Sequence, residues 1–266
     1  MEERKRKEIE YYEKKAEEFL KEGEFEGDFE KFDPSVLASF RFLFDFFEKE
    51  GKEKTVLDYG CGNGVHTVWL AKKCKKVIGI DLSKTSLEIA KRRIKREHLE
   101  NKAEFILMDC ENMKFPDNYF DIIFDGGTFS SLDIDKALVE IWRVLKPGGY
   151  LVGIETLGHN PFFNLKRKIN KIFGKRTEWA VEHIFKMSDL EKTEQYFERV
   201  ECLFFHLISC LVFPFLKMPL GKKLLKIFEK IDSFLVKKFP FLKKYSFKIV
   251  FVFKKKIRVE KRPKKE

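Results

Sequence analysis

The chain has 266 residues, enough for one α/β domain with an elaboration and a full hydrophobic core. Its five cysteines, at positions 61, 74, 110, 202 and 210, form no CxxC pair and no compact cluster, which argues for reduced thiols in a cytoplasmic setting and against disulfides or zinc. The net charge of +11 sits in residues 206–244 and 254–266, leaving the remainder near neutral and without the basic surface an RNA-modifying enzyme carries around its cleft.

The opening residues 1–7 are charged throughout and lack the apolar core of a signal peptide. Residues 2–21 read as a charged helix carrying Tyr11 and Tyr12, followed by a glycine-spaced acidic turn at 23–28. Asp33-Pro34-Ser35 is a helix-start signal. The helix it opens, 36–49, is amphipathic, with Leu37, Phe40, Leu43, Phe44 and Phe47 on one face.

Val56-Leu57-Asp58-Tyr59-Gly60-Cys61-Gly62-Asn63-Gly64 is an apolar run ending in an acid and three alternating glycines. It reads as a strand entering a tight turn, with a helix starting near Val65. Glycines allow positive φ and let a ligand lie against bare main chain, while the helix start offers unpaired N–H groups. A dinucleotide site needs Gly-x-Gly-x-x-Gly, but here the third glycine comes one position early and Val65 stands in its place. Asp58 at the strand end suits a cationic group better than a pyrophosphate. Cys61 lies inside the turn, where a small side chain is all that is required.

Further strands follow in order. Residues 76–81 form a buried strand ending in Asp81, with Leu82 next; 105–110 form a third strand ending in Asp109 and Cys110. Residues 119–125 form a fourth, with Asp125-Gly126-Gly127 at its mouth. Leu145-Lys146-Pro147-Gly148-Gly149 turns into a fifth. Helices are expected at 65–74, 84–98 and 134–145, and the βα rhythm implies a parallel sheet with right-handed crossovers. Each acid also has a plainer role: Asp81 and Ser83 stand where a helix N-cap is useful.

Across residues 54–156 this order of motifs resembles the class I S-adenosylmethionine-dependent methyltransferases, whose first motif is Asp-x-Gly-x-Gly-x-Gly. The resemblance implies a Rossmann-like, mostly parallel seven-stranded sheet with helices on both faces. Residues 199–205 and 246–253 would supply strands six and seven, the seventh antiparallel and inserted between five and six. It implies S-adenosylmethionine as cofactor, with Asp58, Gly60, Cys61, Gly62 and Gly64 at its methionine part. Asp81 would meet the ribose and Asp109 with Cys110 the adenine, Leu82 would also contact the cofactor, and Asp125 would stand at the mouth of the site. N-terminal helices of the family fold over the cofactor, where Tyr11 or Tyr12 would close the pocket.

On the acceptor side, His159 follows the fifth strand and His183 precedes a later helix beside Glu182. Both are candidate general bases. Residues 166–176 carry six basic side chains and no acid, suited to an anionic substrate group or simply to a solvated helix face. No Asn/Asp-Pro-Pro-Tyr sequence, Pro-Cys pair or appended RNA-binding module appears, so a small-molecule, lipid or glycan acceptor is favoured over nucleic acid. Residues 206–244 are apolar and lysine-rich, reading as a helical lid whose apolar face covers its own domain, with membrane-surface contact as an added possibility. The resulting division is a cap at 1–50, a cofactor-binding domain at 51–205 plus 245–256, the insert at 206–244, and a basic tail at 257–266. Methyl transfer is the leading function. Lipid-precursor methylation at a membrane surface, RNA methylation and cofactor binding without turnover are the alternatives.

Overall fold

Val56-Leu57 and Ile122-Ile123-Phe124 are apolar at consecutive positions, as strands covered on both faces must be, and all five side chains are fully buried. In the computed structural model, which describes residues 2–21, 34–173 and 176–256, they belong to the central strands of one seven-stranded sheet. The strands are β1 (Thr55–Tyr59), β2 (Lys76–Asp81), β3 (Ala103–Leu107), β4 (Phe120–Asp125), β5 (Leu145–Thr156), β6 (Phe197–Phe205) and β7 (Lys248–Lys255), in the order β3-β2-β1-β4-β5-β7-β6. The first five are parallel; β7 runs antiparallel between β5 and β6, as expected.

Helices cover both faces. On one, α2 (Ala38–Glu50) contributes Leu43 and Phe47, and α3 (Val65–Lys73) contributes Val68 to Ala71. The helix α4 (Lys84–Arg96) adds Ile94 to the same layer. On the other face, α5 (Ile134–Val144) buries Ala137, Leu138 and Ile141 against Leu57, Tyr59 and Ile123. The helix α1 (Glu3–Lys21) is mostly charged and buries only Glu8 and Ala16. The remaining helices are α6 (Pro161–Ile172), α7 (Glu178–Glu182), α8 (Met187–Thr193) and α9 (Gly221–Lys238).

The third strand stops at Leu107, earlier than the apolar run suggested. Asp109 begins a turn instead: its Oδ1 accepts from Glu111 N–H at 2.8 Å and its carbonyl from Asn112 N–H at 3.1 Å. A carboxylate that bonds the backbone two residues on competes with the strand ladder and ends it. The expected acidic turn at 23–28, Lys175 and the tail at 257–266 lie outside the described residues.

The insert between β6 and β7 corrects the lid expectation. Its helix α9 docks through Leu225, Glu229, Asp232 and Val236, all buried. Leu220, Leu224, Ile227, Ile231 and Phe234 point the other way and are exposed. The apolar stripe therefore does not cover its own domain. Charged docking is made possible by backbone donors. Asp232 accepts from the N–H groups of Leu207, Ile208 and Ser209 at 2.8–3.2 Å, and Glu229 accepts from Ala38 N–H and Arg41. Asp232→Ala leaves three amides without their acceptor and should cost about 3 kcal/mol. It should appear as a lowered urea midpoint and faster proteolysis within 206–244; an unchanged midpoint would refute this account of docking.

Candidate functional site

The turn after β1 is held from two sides. A Cβ on Gly60 would meet Thr128 atoms at 2.4–2.9 Å, and one on Gly64 would meet Ala90 at 2.7 and 2.9 Å. Gly62 is different: its φ is +51° yet nothing lies within 4 Å of a Cβ there. Its bare backbone faces a cleft of about 900 Å³, counting the open mouth, at the carboxyl edge of the parallel strands. Gly60, Gly62, Asp81, Leu82, Asp109 and Cys110 line that cleft, so the structure gathers these six expected residues in one place.

Asp81 is ready for a ligand. Its Oδ2 accepts from Gly62 N–H at 2.9 Å and its Oδ1 from Ser83 N–H at 2.8 Å, which leaves lone pairs on both oxygens. Burial raises its pKa. Asp58 lies beneath the loop, 1% exposed, and is not in the cleft wall. Thr67 donates to its Oδ2 at 2.6 Å. Burial, with the Asp81 charge adding, pushes Asp58 from 3.8 to about 7 against that hydrogen bond. Cys61 is likewise buried beneath the loop and outside the cleft wall, as its role as a small filler requires.

Asp125 is also corrected in position. It is fully buried behind Gly126 and Gly127, whose backbones form the wall in its place. Its Oδ1 accepts from Thr128 N–H at 2.9 Å, while Oδ2 has no partner among the described residues. Glu155, 1% exposed, sits beside it and accepts from Phe129 N–H at 2.9 Å. Burial and the adjoining carboxylate raise Asp125 well above its ordinary range, and burial raises Glu155.

The roof of the cleft comes from α1, where the sequence had singled out only the two tyrosines. Arg4, Lys5, Glu8, Ile9 and Tyr12 close the cleft from above. Lys5 Nζ binds Asp109 Oδ2 at 2.6 Å, and Arg4 grips Glu111 at 2.6 and 2.8 Å. Tyr12, one of the two expected tyrosines, shares a hydrogen bond with Ser131 Oγ at 3.1 Å. Glu8 is 6% exposed, flanked by the Thr177 and Ser131 hydroxyls, and neither carboxylate oxygen has a hydrogen-bond partner among the described residues. Burial raises its pKa. No signal in a helix of repeated Glu, Lys and Arg marks these positions, since each repeat looks like a solvated face.

The two histidines do not reach the cleft. His159 Nε2 accepts from Met187 N–H at 3.0 Å, and burial lowers its pKa. His183 is exposed, its ring stacked 3.5 Å from that of Trp179 and its Nδ1 bonded to the Trp179 carbonyl. Both rings are engaged locally. Loop position after a strand was an insufficient guide, because the chain turns away at Asn160 to start α6.

A family model described as "Methyltransferase domain" matches residues 57–153. The chain is 34% identical over 160 residues to a demethylmenaquinone methyltransferase of Staphylococcus saprophyticus, covering 54% of this chain and 67% of that one. It is 40% identical over 118 residues to the sterol 24-C-methyltransferase erg6 of Aspergillus fumigatus, covering 44% and 31%. The match spans only 35–45% of the length of the first curated relatives. Among solved structures, geranyl diphosphate C-methyltransferase from Streptomyces coelicolor A3(2), with S-adenosyl-L-homocysteine bound, superposes with a TM-score of 0.58 at 17% identity, covering 82% and 78%; this likeness speaks to the fold.

Two outcomes follow from the geometry. Gly62→Ala should cost about 1 kcal/mol through φ alone and yet weaken calorimetric binding of S-adenosylmethionine at least roughly tenfold. Gly64→Ala, meeting backbone at Ala90, should cost about 3 kcal/mol; equal losses of stability in the two variants would contradict this division of labour. Asp58 is protonated in the folded chain at pH values where it ionises in the unfolded one, so its burial costs stability as pH rises from 3.8 to about 7. The urea midpoint of Asp58→Asn relative to the unsubstituted chain should climb through that window and level off above it. A flat difference would remove the assignment.

Proposed function

Because the chain belongs to the class I S-adenosylmethionine-dependent methyltransferases, we propose that it transfers a methyl group to a small-molecule or amphipathic, lipid-like acceptor. The observation that carries this reading is the single cleft that joins the open backbone at Gly62, the available oxygens of Asp81 and the orphan carboxylate of Glu8. In this reading Asp81 holds the ribose with Leu82 beside it, Asp109 and Cys110 the adenine, and the Gly60–Gly64 loop the methionine part, with Asp58 buried beneath it. Bound S-adenosylmethionine supplies an electrophilic methyl group on a sulfonium.

The remaining work is alignment. Holding two reactants in register can lower a barrier by roughly 7–11 kcal/mol in the best cases, without a dedicated acid or base. The helix α1 roofs the cleft and excludes water, and Ile9, Tyr12 and Leu132 give its walls an apolar share suited to an amphipathic acceptor. Where the acceptor is a hydroxyl, Glu8 is the group placed to take its proton. A carboxylate with a raised pKa is a better base near neutrality than an ordinary one. The quinone and sterol named for two relatives support an amphipathic acceptor. A cytoplasmic protein touching a membrane through 206–244 belongs to the same reading, and among the described residues no helix is long and apolar enough to cross one.

Calorimetric titration with S-adenosylmethionine and its demethylated product should give micromolar binding of both. Asp81→Ala should lose about 3 kcal/mol of that affinity, roughly a hundredfold, with an unchanged fold. No binding to a folded sample would overturn the reading. With an acceptor found by a labelled-methyl screen of quinones, sterols and prenyl phosphates, Glu8→Gln should lower kcat about a hundredfold or more for a hydroxyl acceptor. Cofactor affinity should hold in that variant; a loss confined to cofactor binding would move Glu8 out of this role.

A further inference from the structure

Two helices at the carboxyl edge of the sheet bury charged residues and turn apolar ones outward. On α9, Glu229 and Asp232 face the domain and are taken up by Arg41 and by backbone N–H groups. Outside lies a stripe of Leu220, Leu224, Ile227, Ile231 and Phe234, at i, i+4, i+7, i+11 and i+14, with Leu220 71% and Phe234 60% exposed. Lys223, Lys226, Lys230 and Lys237 fall along one flank of this stripe at helical spacing. On α6 the buried residue is Arg167, which donates to the Leu157 carbonyl and Asn164 Oδ1. Leu165, Ile169 and Ile172 are exposed there beside Lys166 and Lys168, while Lys171 pairs with Glu178 of α7.

The two helices border the same edge. The first follows β5, and the second lies in the segment leaving β6 and returning to β7. Asn160 donates to the Tyr245 carbonyl at 2.9 Å and Phe163 stacks on Phe247 at 4.3 Å, tying the start of α6 to the end of the insert.

We propose that the outward faces of α6 and α9 form a membrane-docking surface that seats its apolar stripes below anionic phospholipid headgroups held by the flanking lysines. Both acids of residues 206–244 are turned inward, so the outward flank of α9 offers Lys223, Lys226, Lys230 and Lys237 and no carboxylate. Such a face selects an anionic partner. A bilayer surface accommodates the large apolar residues between the lysines, which a phosphate backbone would leave wet. A second copy packed about a two-fold axis would set like charges against each other. The surface gives the membrane contact of the proposed function a defined face. Its test reads lipid binding without turnover, so its failure would leave methyl transfer standing.

The test is flotation of the full chain with phosphatidylcholine vesicles made with and without phosphatidylglycerol. Flotation is expected only with the anionic vesicles, and it should fall at least about tenfold at high salt. A similar loss is expected in Lys223→Glu/Lys226→Glu/Lys230→Glu and in Leu224→Ser/Ile227→Ser/Ile231→Ser. These positions are exposed, so both variants should keep the thermal midpoint and the cofactor affinity of the parent chain. The proposal is overturned if the parent chain stays unbound with anionic vesicles, or if both variants float as it does. It is equally overturned if the surface proves to bind nucleic acid instead, or to join two copies whose dimer the serine variant dissociates.

Discussion

Two close approaches of backbone hold the site in place. Gly60 lies against Thr128 of the loop after β4, and Gly64 against Ala90 of α4, each too near for any Cβ. Thr128 Oγ1 also donates to the Tyr59 carbonyl at 3.0 Å, and Asp81 accepts from Gly62 at 2.9 Å. The turn after β1 is thereby fixed to three other elements. Only Gly62, between the two contacts, is left with open space above it. The position of a cofactor, and of every wall that meets it, follows from that one unfilled stretch of main chain.

The same edge gathers six carboxylates: Asp58, Asp81, Asp109, Glu111, Asp125 and Glu155. Their mutual repulsion is offset in three ways. Backbone N–H groups at strand ends bond Asp81, Asp125 and Glu155. Burial raises the pKa of Asp58 and of the Asp125–Glu155 pair, so these groups give up their charge more readily than ordinary carboxylates. Arg4 and Lys5 answer Asp109 and Glu111, the latter with only 1% of its side chain exposed. With few apolar contacts of its own, α1 is held over the cleft largely by these ion pairs, which are strong because both partners are mostly withdrawn from water. The roof of the site is thus an electrostatic consequence of its floor.

At the other end of the sheet, the insert shows how the meaning of a helical pattern depends on what lies beside it. A stripe of leucine, isoleucine and phenylalanine ordinarily marks the packed side of a helix. Here three consecutive backbone amides, at Leu207, Ile208 and Ser209, and one at Ala38, offer donors that aliphatic side chains cannot use. The acids take that side, and the apolar stripe is turned out.

Much of the fold was legible in the chain. The glycine spacing, the acids at strand ends and the βα rhythm are local patterns, and they placed the first five strands; the family resemblance built on them implied the antiparallel β7 and six of the cleft-lining residues. The third strand ran short because Asp109 bonds its own following turn, a choice the apolar run could not reveal. What the sequence alone could not determine was which members of a repetitive pattern face inward. Arg4, Lys5 and Glu8 are indistinguishable from their neighbours until α1 is laid over Asp109 and Glu111. His159 and His183 look reactive until their rings are seen engaged by Met187 and Trp179. Local propensity and spacing are written in adjacent residues, and so the sequence determined the strands, the turn and the cofactor-type floor. The roof, the orientation of the insert and the occupation of each charge depend on partners far along the chain, and only tertiary packing decided them.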